Sequence, residues 1–222
     1  MRTYIENKIK DMPYNRIDGR LNVIEVDELP KDINLEAILN VLEKNFPSHY
    51  YNNLKALKIE HSPEFDERGV NAVYRDNILQ VTNKQSDTND LIDDIVHEFA
   101  HHLETLYPEQ IYGDEKLINE FLKKRQELKF ELQSEGYWVR EYNFDKLKFD
   151  ESFDKFLYQR VGRNMLRLVT AGSFIRPYAA VSLREYFATG FEAYYLGKRD
   201  TLENISPVLY DKIEELHNLE RY

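Results

Sequence analysis

The sequence predicts an α+β fold, and three observations carry that expectation. Short apolar runs with a two-residue period lie before residue 83, the spacing of half-buried strands. Longer runs with apolar residues three and four apart dominate the chain after it, as amphipathic helices require. The order of the first elements, a helix, two strands and a helix, suits a small sheet backing a helix.

Taken in order, Leu21, Val23, Ile24 and Val26 alternate and are expected to end as a strand before Pro30. Asn34 to Phe46 places Leu35, Ile38, Leu39, Leu42 and Phe46 on one side of a helix, and Pro47 follows it. Leu54 to Ile59 alternates weakly. Val70 to Tyr74 and Ile78 to Thr82 are two expected strands, joined by the turn-like Arg75-Asp76-Asn77. A polar loop from Asn83 to Asn89 leads into the helix that matters most. Thr88 or Asn89 offers its N-cap, and the acids at 90, 93 and 94 suit its first turn.

Beyond Pro108 the chain is mainly helical. Glu115 to Ser134 is a charged amphipathic helix stopped by Gly136. Tyr137 to Phe156 is rich in aromatics and charges, and two readings stay open: an exposed insertion that meets a partner or substrate, or an ordinary cap over the core. The helical pattern resumes from Val161 to Thr170, with Gly172 as its stop. Further helices are expected from Ser182 to about Leu196 and from Pro207 to Leu219. With no repeat, low-complexity tract or linker, the expectation is one domain over 1–222, with a helical insertion at about 108–172.

Composition narrows the chemistry. No cysteine is present, so disulfides and thiolate metal sites are excluded, and any metal must be held by histidines and carboxylates. The net charge of −10 disfavours nucleic acid and anionic membranes as partners. Met1 to Lys10 carries charges at 2, 6, 8 and 10 and lacks the apolar core of a signal peptide, and no run is long enough to span a bilayer. The expectation is a protein cytoplasmic as synthesised, with delivery by a non-classical route left open.

The central helix contains His97-Glu98-Phe99-Ala100-His101 inside a stretch free of glycine and proline. Leu91, Ile92, Ile95, Val96, Phe99, Ala100, Leu103 and Leu106 continue the helical period through it. Residues four apart lie about 40° from each other around a helix axis, so both imidazoles rise from one face. That spacing lets them share one Zn²⁺ at roughly 2.0–2.1 Å each. Glu98, one step round, is placed to take a proton from a metal-activated water. His102 lies about 140° from His97 and is expected to be solvated or to support a ligand. The motif predicts a zinc hydrolase.

Two histidines leave a zinc tetrahedron short of one protein ligand before water. Tyr178 to Leu196 is the best stretch to supply it. Ser182 and Glu185 stand in a capping-box pattern, so Glu185 is read either as a cap or as a ligand. In this stretch the chain resembles the anthrax lethal factor peptidase family, which includes the secreted Pro-Pro endopeptidases. That family pairs a His-Glu-x-x-His helix with a tyrosine and, seven residues later, a glutamate opening an E-[FY]-F-A-x-x-F helix. Here the blocks are His97 to His101, then Tyr178, then Glu185-Tyr186-Phe187-Ala188-Thr189-Gly190-Phe191. The resemblance covers about a third of the chain and implies a zincin-like fold with a small sheet on the catalytic helix. It also implies Glu185 as third zinc ligand and Tyr178 as a donor to the oxyanion or leaving group.

Two departures stand against it. Thr189 replaces a second acid found in many relatives, and Glu192, nearly on the face of Glu185, could compensate or ligate instead. The other is the long interval between the blocks. Metzincins are set aside because Glu104 and Tyr107 occupy the places of their glycine and third histidine. Peptide deformylases need a cysteine ligand. The resulting expectation is a zinc-dependent endopeptidase, with Ile78 to Thr82 the preferred strand edge for an extended substrate. Its alternative is a catalytically silent zincin-fold binding module such as a toxin, scaffold or virion component. Oligomeric state is left open.

Overall fold

The computed structural model of the chain describes residues 15–17, as backbone, and 21–219. The charged stretch from Met1 to Lys10 lies outside the described residues. The architecture is α+β, as expected, and the chain divides into two units, Met1–His102 and Leu103–Tyr222.

In the first unit, β1 (Asn15–Ile17), β2 (Leu21–Glu25), β3 (Ala56–Ile59), β4 (Ala72–Arg75) and β5 (Ile78–Val81) form a mixed sheet in the order β1-β2-β3-β5-β4. β3 runs parallel to β2 and β5, while β4 returns antiparallel to β5. The β4–β5 turn is the one the sequence marks. Asp76 and Asn77 take φ values of 56° and 64°, the left-handed pair of a type I′ hairpin that short polar side chains tolerate best.

One expectation is corrected by this order. Ile78 to Thr82 is not an edge, because β5 sits between β3 and β4. The edge on that side is β4. The weak Leu54–Ile59 alternation hides a central strand with Leu57 and Ile59 fully buried. Its parallel partners lie far off in sequence, and local pattern does not report them.

Helix α1 (Leu35–Asn45) is capped by Asn34, whose Oδ1 accepts from Ala37 N at 2.9 Å. A short helix, α2 (Pro63–Arg68), was not expected; Ser62 caps it and Gly69 closes it in the left-handed region. Helix α3 (Thr88–Leu106) carries the histidines. Its cap is neither Thr88 nor Asn89 but Asp87, whose Oδ1 accepts from Asn89 N at 2.6 Å and Asp90 N at 3.0 Å. Thr88 Oγ1 is taken instead by the backbone N–H of Asn34 at 3.2 Å. Phe99 anchors α3 in the first unit, its ring 4.8 Å from Phe46 and 5.4 Å from Tyr51.

The second unit is helical: α4 (Pro108–Tyr112), α5 (Lys116–Ser134), α6 (Glu151–Lys155) running into a π-helical stretch (Phe156–Val161), α7 (Arg163–Thr170), a 3₁₀ turn (Pro177–Ala180), α8 (Leu183–Tyr195), α9 (Arg199–Ile205) and α10 (Pro207–His217). Helix α8 is its axis, with Tyr186 to Tyr194 all buried. Gly190 lets α10 approach closely: a Cβ there would meet Leu209 Cδ2 at 2.2 Å. The stretch 108–172 shares this core. The Phe121 ring lies 5.4 Å from Tyr186, and the Glu120 carboxylate accepts from Tyr186 Oη and from the N–H groups of Val208 and Leu209, capping α10. Between Tyr137 and Phe156, Val139, Phe144, Phe153 and Phe156 are buried, which favours the cap reading of that stretch. Trp138 stays 61% exposed under the guanidinium of Arg140.

Arg125 is the largest fully buried side chain. Its Nη1 donates to the carbonyls of Ala180 at 2.7 Å and Val181 at 3.3 Å, its Nη2 to that of Asn143 at 3.1 Å. The guanidinium also lies 4.0 Å from the Phe153 ring centroid. Carbonyl dipoles and ring faces solvate the charge where a carboxylate would otherwise be needed. The cost shows in its pKa, which burial lowers to about 10. No described helix is long and apolar enough to cross a membrane.

Candidate metal centre

Helix α3 presents two different faces. On one, His97, Glu98 and His101 each offer a ligand atom, and these atoms lie within 4.8 Å of one another. The two imidazoles stand nearly perpendicular, at 88°, with centroids 4.8 Å apart. Glu98 and His101 are buried and His97 half-buried, so the cluster is withdrawn from bulk water. The described residues contain no other such group of histidines and acids. Two imidazoles with no sulfur donor are compatible with zinc, and the group could hold a metal ion. Three residues before His97, burial raises the Asp94 carboxyl above its ordinary range, against a hydrogen bond from Gln85 and the pull of His97.

His102 faces the other way. It is 1% exposed, neither solvated nor aimed at the cluster. Its Nε2 donates to the Tyr50 carbonyl at 3.0 Å, and its Nδ1 lies 3.2 Å from Tyr74 Oη. Burial lowers its pKa, which keeps the ring neutral, while the Tyr74 hydroxyl donates to Asn77 Oδ1 at 2.8 Å. His102 is a core histidine that ties α3 to β4 and to the 3₁₀ turn at Ser48–Tyr51.

The other block belongs to the second unit. Ser182 Oγ accepts from Glu185 N at 3.2 Å, so the cap is real and the Glu185 side chain is half-buried in the first turn of α8. Thr189, in the place of the missing acid, is buried and donates back to the carbonyls of Glu185 or Tyr186, at 2.9 and 3.2 Å. Its proton serves the helix backbone. Glu192 is 3% exposed, and its Oε2 meets Arg176 Nη1 at 2.7 Å. Tyr178 lies in the 3₁₀ turn, 39% exposed.

Three further residues of this unit escaped sequence reasoning. Arg184, beside Glu185, reaches Glu104 at 3.6 Å, and Glu104 also accepts from the Tyr112 hydroxyl. Glu104 stands in the last turn of α3, in the part of that helix that belongs to the second unit. The third is Tyr158, in the π-helical stretch, whose ring centroid is 6.4 Å from that of Tyr178. Its phenol is pushed up to about 12, first by burial, then by Asp154, against Arg163, with Glu185 adding to the rise. Tyr158, Tyr178 and Glu185 therefore share one electrostatic neighbourhood. Among known proteins, the chain matches no family model, no curated protein and no solved structure.

Proposed function

We propose that the chain is a zinc-dependent endopeptidase with a zincin-like fold, related to the lethal factor peptidase family. The observation that carries this reading is the trio His97, Glu98 and His101, with ligand atoms within 4.8 Å on one sheltered face of α3. His97 and His101 hold the ion, and Glu185 is the third ligand, as the resemblance implies. The ion pair between Glu192 and Arg176 supports Glu185 over Glu192 for that place.

When bound, zinc supplies a Lewis acid that makes water acidic and polarises a carbonyl. Glu98 takes the proton from the attacking water and returns it to the leaving amine. The Tyr178 hydroxyl donates a hydrogen bond to the oxyanion of the tetrahedral species and keeps its proton. Strand β4, the sheet edge, offers its outward N–H and C=O groups to an extended peptide by β-addition.

The test is metal analysis of the purified chain together with hydrolysis of a peptide library, with Glu98→Ala as control. Stoichiometric zinc in both proteins and hydrolysis by the unmodified one alone is the expected result. Zinc without turnover in either would make the chain a silent binding module. Absence of zinc from both would reduce the histidines to coincidence.

A further inference from the structure

The acidic net charge conceals one basic concavity. A pocket of about 380 Å³ opens on the second unit beside Tyr178, walled by Tyr158 and Tyr178 and by Arg163, Arg167 and Arg176. The charge of Arg176 is offset by Glu192 at 2.7 Å. Arg163 and Arg167 stand one turn apart on one face of α7, both exposed, and neither makes an ion pair among the described residues. Arg163 occupies the first position of α7, whose opening turn has neither an acid nor a side-chain cap. A cation there opposes the helix dipole, a local cost. Two guanidinium forks converging on a pocket are suited to bidentate binding of an oxyanion.

We propose that this pocket binds an oxyanion, a carboxylate or a phosphate, carried by a side chain of the peptide substrate. The idea rests on the endopeptidase reading only in calling that peptide a substrate. Specificity accordingly favours acidic or phosphorylated peptides despite the acidic protein. The tyrosines supply the apolar flank along which the side-chain stem lies.

The test measures binding apart from cleavage. Fluorescent peptides identical except for Glu, phosphoserine or Gln at one scanned position are titrated against the Glu98→Ala protein, which binds without consuming them. The expected result is about tenfold tighter binding of one or both anionic peptides at low salt, falling as salt screens the exposed guanidinium groups. The stronger arm tells carboxylate from phosphate. In R163Q/R167Q, with an unchanged melting temperature, the preference falls to about one, and in R163E/R167E it inverts toward a lysine peptide. Equal binding of all three peptides overturns the proposal, as does a preference that survives R163Q/R167Q or is indifferent to salt. Hydrolysis by the unmodified protein is followed in parallel: a preference in binding with no cleavage of any peptide fells the endopeptidase reading and leaves the anion pocket standing.

Discussion

Arg176 Nη1 lies 2.7 Å from Glu192 Oε2, and the Glu192 side chain is 4% exposed. A buried carboxylate held this way is committed to the fold, while Glu185, seven residues earlier, is the one assigned to the ion. The two should separate by substitution. Glu185→Gln should lose most of its zinc in a dialysis assay and keep its melting temperature. Glu192→Gln should keep zinc and melt earlier, by about 1–2 kcal/mol, since Arg176 retains partial access to water. Zinc lost from Glu192→Gln and retained by Glu185→Gln would shift the ligand by two helical turns.

The three neighbouring histidines divide the same way. His97→Ala and His101→Ala should strip the metal, with the apo fold intact by circular dichroism. His102→Ala should retain the metal and lose about 2–4 kcal/mol in denaturant unfolding, because it leaves a cavity and deprives Tyr50 O and Tyr74 Oη of a partner.

Tyr178→Phe should leave stability and zinc content alone and lower turnover by about 10²–10³, the loss typical of one oxyanion donor. Arg125→Lys should act on both. An ammonium cannot reach the carbonyls of Asn143, Ala180 and Val181 together, so unfolding free energy should drop by about 2–4 kcal/mol. Because those carbonyls close the turn that holds Tyr178, turnover should fall with KM little changed. An Arg125→Lys protein as stable and active as its parent would remove this account of the turn.

Tyr158 has a folded pKa raised to about 12 from an ordinary 10.0. Above pH 10 the unfolded chain releases this proton and the folded one holds it. The stability present below pH 10 is therefore lost progressively between about pH 10 and 12. Tyr158→Phe should flatten the stability profile over that interval, as read by urea unfolding at stepped pH. An identical profile in the variant would mean that Tyr158 ionises normally.

Much of this was legible in the sequence, and the failures share a cause. The face of α3 that gathers His97, Glu98 and His101 could be read because a helix fixes the angle between residues four apart, whatever surrounds it. The Asp76-Asn77 turn could be read because backbone sterics are local. Sheet order could not, since β3 pairs with β2 and β5 through parallel ladders that leave no short-range trace. Arg125 and Lys124 lie in a charged amphipathic helix whose pattern does not mark them as buried. Their burial depends on distant carbonyls, those of Ala180, Ser173 and Ile205, which become partners only on folding. The angle of His102 sets it on a different face from His97 and His101, but the same angle does not say whether water or Tyr50 lies opposite.

Trp138 is the single tryptophan among 16 tyrosines and 12 phenylalanines, and it is 61% exposed with Arg140 over its indole. Native emission from this protein should already resemble that of an indole in water, and unfolding should shift it little. Tryptophan fluorescence will thus report the loop around Trp138 and miss the collapse of the core. The buried tyrosines, Tyr50, Tyr186 and Tyr194 among them, are the chromophores whose near-ultraviolet dichroism will follow it.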